Sequence, residues 1–135
     1  MDDTQELGAL LSALRPEVRA GEFVFVPLTE AVDVETFAIV REDEAVTYVV
    51  QRSTADEHGW PYDFVAGWIT LRLHSSLAAI GLTAAVSGAM AGAGISCNML
   101  AGYFHDHLLV PVDRVADAMA VLQRLSSDAA AGPTD

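Results

Sequence analysis

The sequence has 135 residues, which is long enough for one ordinary domain or two very small ones with a continuous apolar core. Its 7 Lys and Arg residues against 19 Asp and Glu residues give a formal net charge of -12, which repels nucleic acids and anionic membrane surfaces and argues against both as partners. Hydrophobic residues make up 52% of the sequence, but no apolar run reaches the roughly 20 residues that a membrane-spanning helix needs, and we recognise no export signal. Cys97 is the only cysteine, so no internal disulfide forms, and we predict a cytoplasmic protein without a cofactor.

The first predicted elements are an N-terminal helix and a buried strand. Leucines at positions 7, 10, 11 and 14 form a helical stripe, which predicts a helix that starts at Asp3 or Thr4 and ends before Pro16. Glu22 to Leu28 is short, apolar and rich in β-branched and aromatic residues. That composition predicts a strand buried on both faces.

A hairpin and a loop are predicted to complete the first half. Thr36 to Arg41 and Val46 to Gln51 flank the acidic run Glu42-Asp43-Glu44, whose charges are typical of a solvated turn. The apolar pattern then disappears between Ser53 and Asp63, where glycine and proline indicate a loop. We place the boundary between the two halves of the chain in this loop.

The second half opens with a strand and a helix. Apolar and polar residues alternate from Trp68 to His74, which predicts a strand with one buried face. Gly81 to Ala93 is rich in alanine and other small residues, which predicts a helix that packs closely against a sheet. Gly94 stands where the C-terminal cap of that helix is expected.

Two strands and a second helix follow. Ile95 to Phe104 and His107 to Val112 are predicted strands, joined by a turn at His105-Asp106. Apolar residues at positions 115, 118, 119, 122 and 125 predict a helix from Val112 to Leu125. The small, polar residues from Ser126 to Asp135 predict a disordered tail.

The order of these elements predicts the fold class. Strand, helix, strand, strand, helix is the start of the βαββαβ unit of ferredoxin-like proteins, in which the third strand lies antiparallel between the parallel first and second strands. One strand is missing, so we expect a strand from residues 22 to 51, or one from another subunit, to complete the sheet. We therefore predict an α+β sandwich with an antiparallel sheet and two halves, residues 1–62 and 63–127, followed by a disordered tail at 128–135.

Short motifs along nearly the whole chain, from about Leu7 to Leu125, are those of a known family. They are Gly21-Glu22-Phe23-Val24-Phe25, His74-Ser75-Ser76-Leu77, Gly81-Leu82-Thr83-Ala84-Ala85, Gly94-Ile95-Ser96-Cys97-Asn98, Ala101-Gly102 and His105-Asp106-His107. This string resembles a family of small stand-alone bacterial proteins built from paired ACT domains, although Ala45 stands where the family's acidic turn typically has glycine. The resemblance implies ferredoxin-like sheets in tandem or in a dimer and no catalysis. It also implies small-molecule ligands, most often amino acids, bound near domain interfaces.

The predicted topology brings polar residues from several segments to one rim of the sheet. The end of the strand near His74, the start of the following helix and the end of the next strand all lie at the same edge. The helix N-terminus presents unpaired N–H groups that suit a carboxylate, and Asp106 can accept hydrogen bonds from an ammonium group. We therefore predict that an amino acid or a similar small metabolite binds at this rim. The predicted ligand-binding residues are His74, Ser75, Ser76, Gly81, Leu82, Thr83, Asn98, His105, Asp106 and His107.

Other interpretations of the same residues stay open. An aspartate in a hairpin commonly bonds its own backbone and serines commonly cap helices, so the chain can be a purely structural dimerisation module. His74, His105 and His107 can provide imidazole ligands for zinc or another divalent ion. A serine beside a histidine can imitate a nucleophile and its base, but the strand-turn-helix motif of serine hydrolases is missing. We expect a regulatory or sensing protein without catalysis that forms a homodimer by association of sheets.

Overall fold

One six-stranded sheet organises the chain. The structure is a computed structural model that describes the backbone of residues 3–132 and the side chains of residues 6–132. Its elements are α1 (Asp3–Ser12), β1 (Pro16–Leu28), β2 (Ala38–Arg41), β3 (Val46–Gln51), α2 (Arg52–His58), β4 (Val65–Leu71), α3 (Leu82–Gly92), β5 (Asn98–Ala101), β6 (Asp106–Pro111) and α4 (Val115–Ala131), with a 3-10 turn at Val112–Arg114. None of the helices in this described range is long and apolar enough to cross a membrane.

The strand order confirms the predicted ferredoxin-like topology. The order is β2-β3-β1-β4-β6-β5, and all neighbouring strands are antiparallel. Since β6 lies between β4 and β5, those two strands run in the same direction without pairing. The missing strand is β1, which pairs with β4, so the sheet is completed from within the chain.

The strand β1 is longer than predicted and contains a bulge in its pairing with β4. It begins at Pro16, so the predicted strand from Glu22 is only its C-terminal part. Its register against β4 shifts between Arg19 and Phe23, and Gly21 in this bulge has φ +112, which a residue with a Cβ rarely adopts. Before the bulge β1 pairs only with β4, Phe23 and Val24 pair with both β4 and β3, and the rest of β1 pairs with β3.

The helices lie on one face of the sheet and bury its apolar side chains. On this face, Ile69 and Leu71 of β4 and Leu108 and Val110 of β6 pack with α1, α3 and α4. The helix α2 covers the same face of the first half, where its Ala55 packs with side chains of β1 and β3. The predictions of α1 and α3 are confirmed, but the C-terminal cap of α3 is Ala93, one residue before the predicted Gly94. Gly94 follows the cap with a left-handed φ of +71, and its N–H donates to the Ala91 carbonyl (3.0 Å).

The opposite face carries no helix within the described range and is closed by aromatic side chains and an arginine. The Arg19 guanidinium lies 4.7 Å from the centroid of the Trp68 ring and 5.2 Å from that of Phe37. The buried residues beneath them are Phe23, Val49, Ala66, Trp68 and Leu109. The prediction that the strand at Trp68 to His74 has one buried face is therefore wrong. The observed β4 is buried on both faces and ends at Leu71, three residues before His74.

Three other predictions differ from the observed secondary structure. The predicted loop from Ser53 to Asp63 contains α2, because burial of Ala55 against the sheet stabilises a short helix in a sequence with little helical pattern. The turn between β5 and β6 consists of residues 102–105, so Asp106 belongs to β6 and not to the predicted turn, while His107 lies in a strand as predicted. The predicted disordered tail continues α4 to Ala131, since alanine favours helix, while residues 133–135 lie outside the described range.

The close approach of β4 to α4 gives a test of this packing. A Cβ added at Gly67 would overlap the Cγ2 methyl of Val115, so Gly67→Ala should lower the free energy of unfolding by about 1–3 kcal/mol. Gly88 in α3 has open space where its Cβ would lie, so Gly88→Ala should instead raise that free energy by about 0.5–1 kcal/mol. Urea unfolding of both variants measures the difference, and equal effects would contradict the described contact between β4 and α4.

Candidate functional site

The N-terminus of α3 is uncapped by side chains. The helix begins at Leu82, and its N-cap residue Gly81 has φ +96 and makes no side-chain hydrogen bond to the helix. The first helical bond runs from the Ala85 N–H to the Gly81 carbonyl (2.9 Å). The N–H groups of residues 82–84 therefore have no partner within the helix.

A small cleft beside this helix end collects most of the predicted residues. It has a volume of about 70 Å³ and lies between the segment that joins β4 to α3, the start of α3 and the turn from β5 to β6. Asp106 pairs with Leu71 across the ladder of β4 and β6, so its side chain projects to the same face as the helices. Six of the ten predicted ligand-binding residues line the cleft: Ser75, Ser76, Leu82, Thr83, His105 and Asp106.

Two of these residues also have local structural bonds. The Ser76 hydroxyl oxygen accepts a hydrogen bond from the Ala78 N–H (3.0 Å), which shapes a turn in the segment between β4 and α3. The His105 Nδ1 lies 3.3 Å from the Leu73 carbonyl oxygen and ties the turn of residues 102–105 to the end of β4. The cleft is thus held together by contacts across its own walls.

His107 and Asn98 are predicted site residues that the structure places on the other face of the sheet. His107 pairs with Thr70, and Asn98 pairs with Leu109, which lies opposite Trp68. Because neighbouring residues of a strand point to opposite faces, His107 projects away from the cleft that Asp106 faces. Sequence reasoning placed both residues in strands but grouped them with the rim by their position near the strand ends, without assigning the face to which each side chain points.

The His107 side chain completes a short chain of hydrogen bonds beneath Arg19. The Trp68 Nε1–H donates to the Thr70 hydroxyl oxygen (3.1 Å), and the Thr70 Oγ1 lies 3.0 Å from the His107 Nδ1. With the indole N–H as donor, the Thr70 hydroxyl donates onward and Nδ1 accepts. Burial lowers the pKa of His107 below its ordinary value, and the positive charge of Arg19 lowers it further.

The proposed metal site of His74, His105 and His107 is not assembled. His107 bonds within the sheet face opposite the cleft, His105 contacts the Leu73 carbonyl, and the exposed His74 lies edge-on to Phe104 with ring centroids 6.3 Å apart. Within the described side chains, no group of three His, Cys, Asp or Glu residues is placed to hold a metal ion. The metal-binding alternative is therefore wrong for these residues.

A second and larger cavity lies on the other side of the segment between β4 and α3. This groove has a volume of about 690 Å³ and is bounded by α1 on one side and by residues 72–79 on the other. Its lining residues are Glu6, Ala9, Leu10, Ala13, Arg15, Arg72, Leu73, His74, Ser75, Ser76, Ala78 and Ala79. His74 thus belongs to the groove and is absent from the cleft lining, whereas Ser75 and Ser76 line both.

Arg15 is a residue of the groove that sequence reasoning missed. Its φ of +49 is left-handed, which costs a residue with a Cβ about 1–2 kcal/mol, and it directly precedes Pro16. Its carbonyl accepts a hydrogen bond from the Arg72 N–H (3.1 Å), so the two arginines are neighbours. The Arg72 guanidinium donates to Glu17 (2.9 Å) and holds the pKa of that carboxyl below its ordinary value. In the sequence, Arg15 stood at the end of the predicted N-terminal helix and Arg72 inside the predicted strand from Trp68 to His74, and neither position indicated a shared groove.

Comparison with models of known protein families identifies the family to which this chain belongs. Two models described as ACT domain match residues 4–67 and 64–124. The chain belongs to the ACT-domain family. Its tandem ACT domains confirm the ACT assignment made from the motifs, whereas the narrower stand-alone group and the division at residues 62 and 63 stay predictions.

Solved structures share the fold of this ACT protein. A Vibrio cholerae protein of unknown function, described as a possible transport protein, is 34% identical with a TM-score of 0.84, and the match covers 93% of this chain and 99% of that chain. A protein from Agrobacterium tumefaciens is 19% identical with a TM-score of 0.64, over 82% of this chain and 87% of that one. The regulatory subunit of aspartate kinase from Thermus flavus is 7% identical with a TM-score of 0.59, over 84% and 97% of the two chains. The last two likenesses show the fold alone, and the search of curated proteins gave no match.

The lowered pKa of His107 predicts how stability depends on pH. Because the folded state disfavours protonated His107, this residue's contribution is fully present above its ordinary pKa of about 6.5 and is lost as pH falls through the lowered value. His107→Gln should therefore reduce the loss of unfolding free energy between about pH 7 and pH 5, measured by urea unfolding. His58→Gln, at an exposed histidine of α2, serves as the control. A His107→Gln slope equal to that of the wild type would contradict the described network.

Proposed function

We propose that this ACT protein is a regulatory or sensing module without catalysis that binds an amino acid or a similar small metabolite. Membership of the ACT family supports a ligand-binding regulatory role. The fold is also that of a regulatory subunit of aspartate kinase, although a likeness at 7% identity carries no ligand with it. The observation that carries the proposal is the juxtaposition of Asp106 with the uncapped N-terminus of α3 in one cleft.

The chemistry of this cleft matches the two charges of an amino acid. The free N–H groups of residues 82–84 and the positive end of the helix dipole suit a carboxylate. The Asp106 carboxylate suits an ammonium group, and the Thr83 and Ser75 hydroxyls add further hydrogen-bonding groups. The cleft, at about 70 Å³, is far smaller than the roughly 300–1,000 Å³ typical of pockets that enclose a whole ligand, so it takes the charged head group and leaves the side chain outside.

Exposed apolar residues surround the cleft where that side chain would emerge. Leu77 and Ile80 in the segment before α3 are 66% and 70% exposed, and Tyr103 and Phe104 in the turn after β5 are 74% and 62% exposed. These four are most of the large apolar side chains exposed in the described range. Apolar surface of this kind favours contact with a ligand or a second subunit.

The same surface supports a homodimer formed by association of sheets. β5 is an edge strand, so its free backbone groups can pair with a second copy. Tyr103 and Phe104 lie in the turn that follows β5, so pairing of two β5 edges would bury these aromatic rings and bring two clefts together. A dimer of this kind would place the ligand near a subunit interface.

Binding of amino acids tests the proposed function. The 20 protein amino acids are screened by thermal unfolding, and a true ligand at about 100 times its Kd should stabilise the fold by about 2.7 kcal/mol and raise the Tm by several degrees. Asp106→Asn removes the acceptor for the ammonium group and should weaken binding at least about 10-fold. Asp43→Asn makes the same change of charge in the exposed acidic turn and should leave affinity unchanged. Absence of any shift with all 20 compounds would refute the proposal.

The edge of β5 predicts which substitutions weaken the dimer. Replacing Tyr103 and Phe104 together by serine removes the apolar surface beside β5 and should raise the dimer dissociation constant at least about 10-fold. Ile39→Ser, on the opposite edge strand β2, removes an exposed apolar residue without touching this surface. Analytical ultracentrifugation measures both. If only Ile39→Ser dissociates the dimer, the subunits associate through β2 instead.

A further inference from the structure

The groove between α1 and residues 72–79 has the size and the apolar wall of a small-molecule site. Its volume of about 690 Å³ falls within the 300–1,000 Å³ that is typical of ligand pockets and is about ten times that of the cleft. Ala9 and Leu10 of α1 and Ala13 directly after it line the groove, and because Ala13 is three and four residues from the other two, they form one apolar strip that faces Leu73 across the groove. This strip suits an aliphatic group.

Charge is distributed unevenly along the groove. Arg15 and Arg72 lie together where α1 passes into β1, and the two are joined through the backbone bond from the Arg72 N–H to the Arg15 carbonyl. Glu6 of α1 lies seven residues before Ala13, or about 10 Å away along the direction of the helix axis. One end of the apolar strip therefore attracts an anion and the other repels one, in a chain whose net charge is -12.

Arg15 is the cation of this pair that is available to a ligand. Arg72 already donates two hydrogen bonds to Glu17. The three ion pairs found among the described side chains involve Arg52, Arg72 and Arg114, and Arg15 takes part in none of them. Arg15 also occupies a left-handed backbone position before proline, where glycine or asparagine would fit with less strain. An arginine that is retained in an unfavourable backbone conformation indicates that its guanidinium has a function at that position.

We propose that the groove is a second binding site, separate from the cleft, and that it binds an aliphatic carboxylate. The carboxylate accepts hydrogen bonds from the Arg15 guanidinium, which presents a planar fork of N–H groups that fits two oxygens. The aliphatic body lies on the strip of Ala9, Leu10 and Ala13 and points toward Glu6, which disfavours a second negative charge at that end. Monocarboxylates are thereby preferred over dicarboxylates.

The experiment compares three carboxylates with their primary amides on the full-length protein. Hexanoate, octanoate and 4-methylpentanoate are titrated by isothermal calorimetry, and at least one should bind at least about 10-fold more tightly than its amide. Arg15→Asn removes the cation but tolerates the left-handed backbone, so it should fold and bind that carboxylate at least about 10-fold more weakly. Arg15→Gly serves as a second variant without strain at this position. Arg124→Gln, which removes an exposed arginine from α4, should keep wild-type affinity.

Each outcome of these titrations supports or overturns the proposed carboxylate site in the groove. No binding of any of the three carboxylates, equal binding of carboxylate and amide, or unchanged binding by both Arg15 variants overturns the proposal. Asp106→Asn should keep the affinity for the carboxylate, because Asp106 belongs to the cleft and not to the groove. If Asp106→Asn abolishes it, the groove is not a separate site. An amino-acid screen that fails while octanoate binds through Arg15 refutes the function proposed for the cleft and leaves this inference standing.

Discussion

The pairing of β1 with β4 is the constraint on which the rest of the structure depends. The two halves meet at these two strands, because β1 pairs with β3 of the first half on its other side and β4 pairs with β6 of the second half. Without it, the second half would present an open edge at β4, whose residues from Ala66 to Leu71 are buried on both faces. This pairing extends past the strand ends, where the Leu73 N–H reaches the Leu14 carbonyl (3.4 Å). It therefore fixes α1 against the segment that begins at Arg72 and forms the groove between them.

Alternation of side chains across β6 is the second constraint, and it divides the His-Asp-His motif. Asp106 projects to the helix face and joins the cleft at the start of α3. His107 projects to the opposite face and bonds with Thr70 under the ring of Trp68 and the guanidinium of Arg19. His105 remains in the turn and contacts the end of β4. His105 and Asp106 therefore both line the cleft, whereas His107 lies on the opposite face, so the three adjacent residues do not form one site.

The features that could be predicted from the sequence are those determined by interactions between residues close together in the chain. The leucine stripe of α1, the glycine that follows α3 and the order of elements in the second half were predicted correctly, because local sequence patterns of a few neighbouring residues determine each element. The helix α2 could not be predicted, since burial of Ala55 against β1 and β3 decides it. The cleft followed from topology alone, because six of its residues lie in segments that any ferredoxin-like arrangement brings to one rim. The groove could not be predicted in this way, because it depends on where α1 packs against the sheet and on the left-handed backbone of Arg15. Both are features of the tertiary structure.

The two cavities share one wall, and this has a thermodynamic consequence for any ligand that occupies either of them. Ser75, Ser76 and Ala79 line both the cleft and the groove, and they belong to a segment without regular secondary structure. That segment is held by a local turn at Ser76 and by the contact of His105 with Leu73. A ligand on one side that favours one conformation of the segment changes the free energy of binding on the other side, and linkage requires the effect to be equal in both directions. Since α3 starts directly after this segment and the edge strand β5 follows α3, a change at the shared wall is positioned to reach the surface where a second subunit would bind.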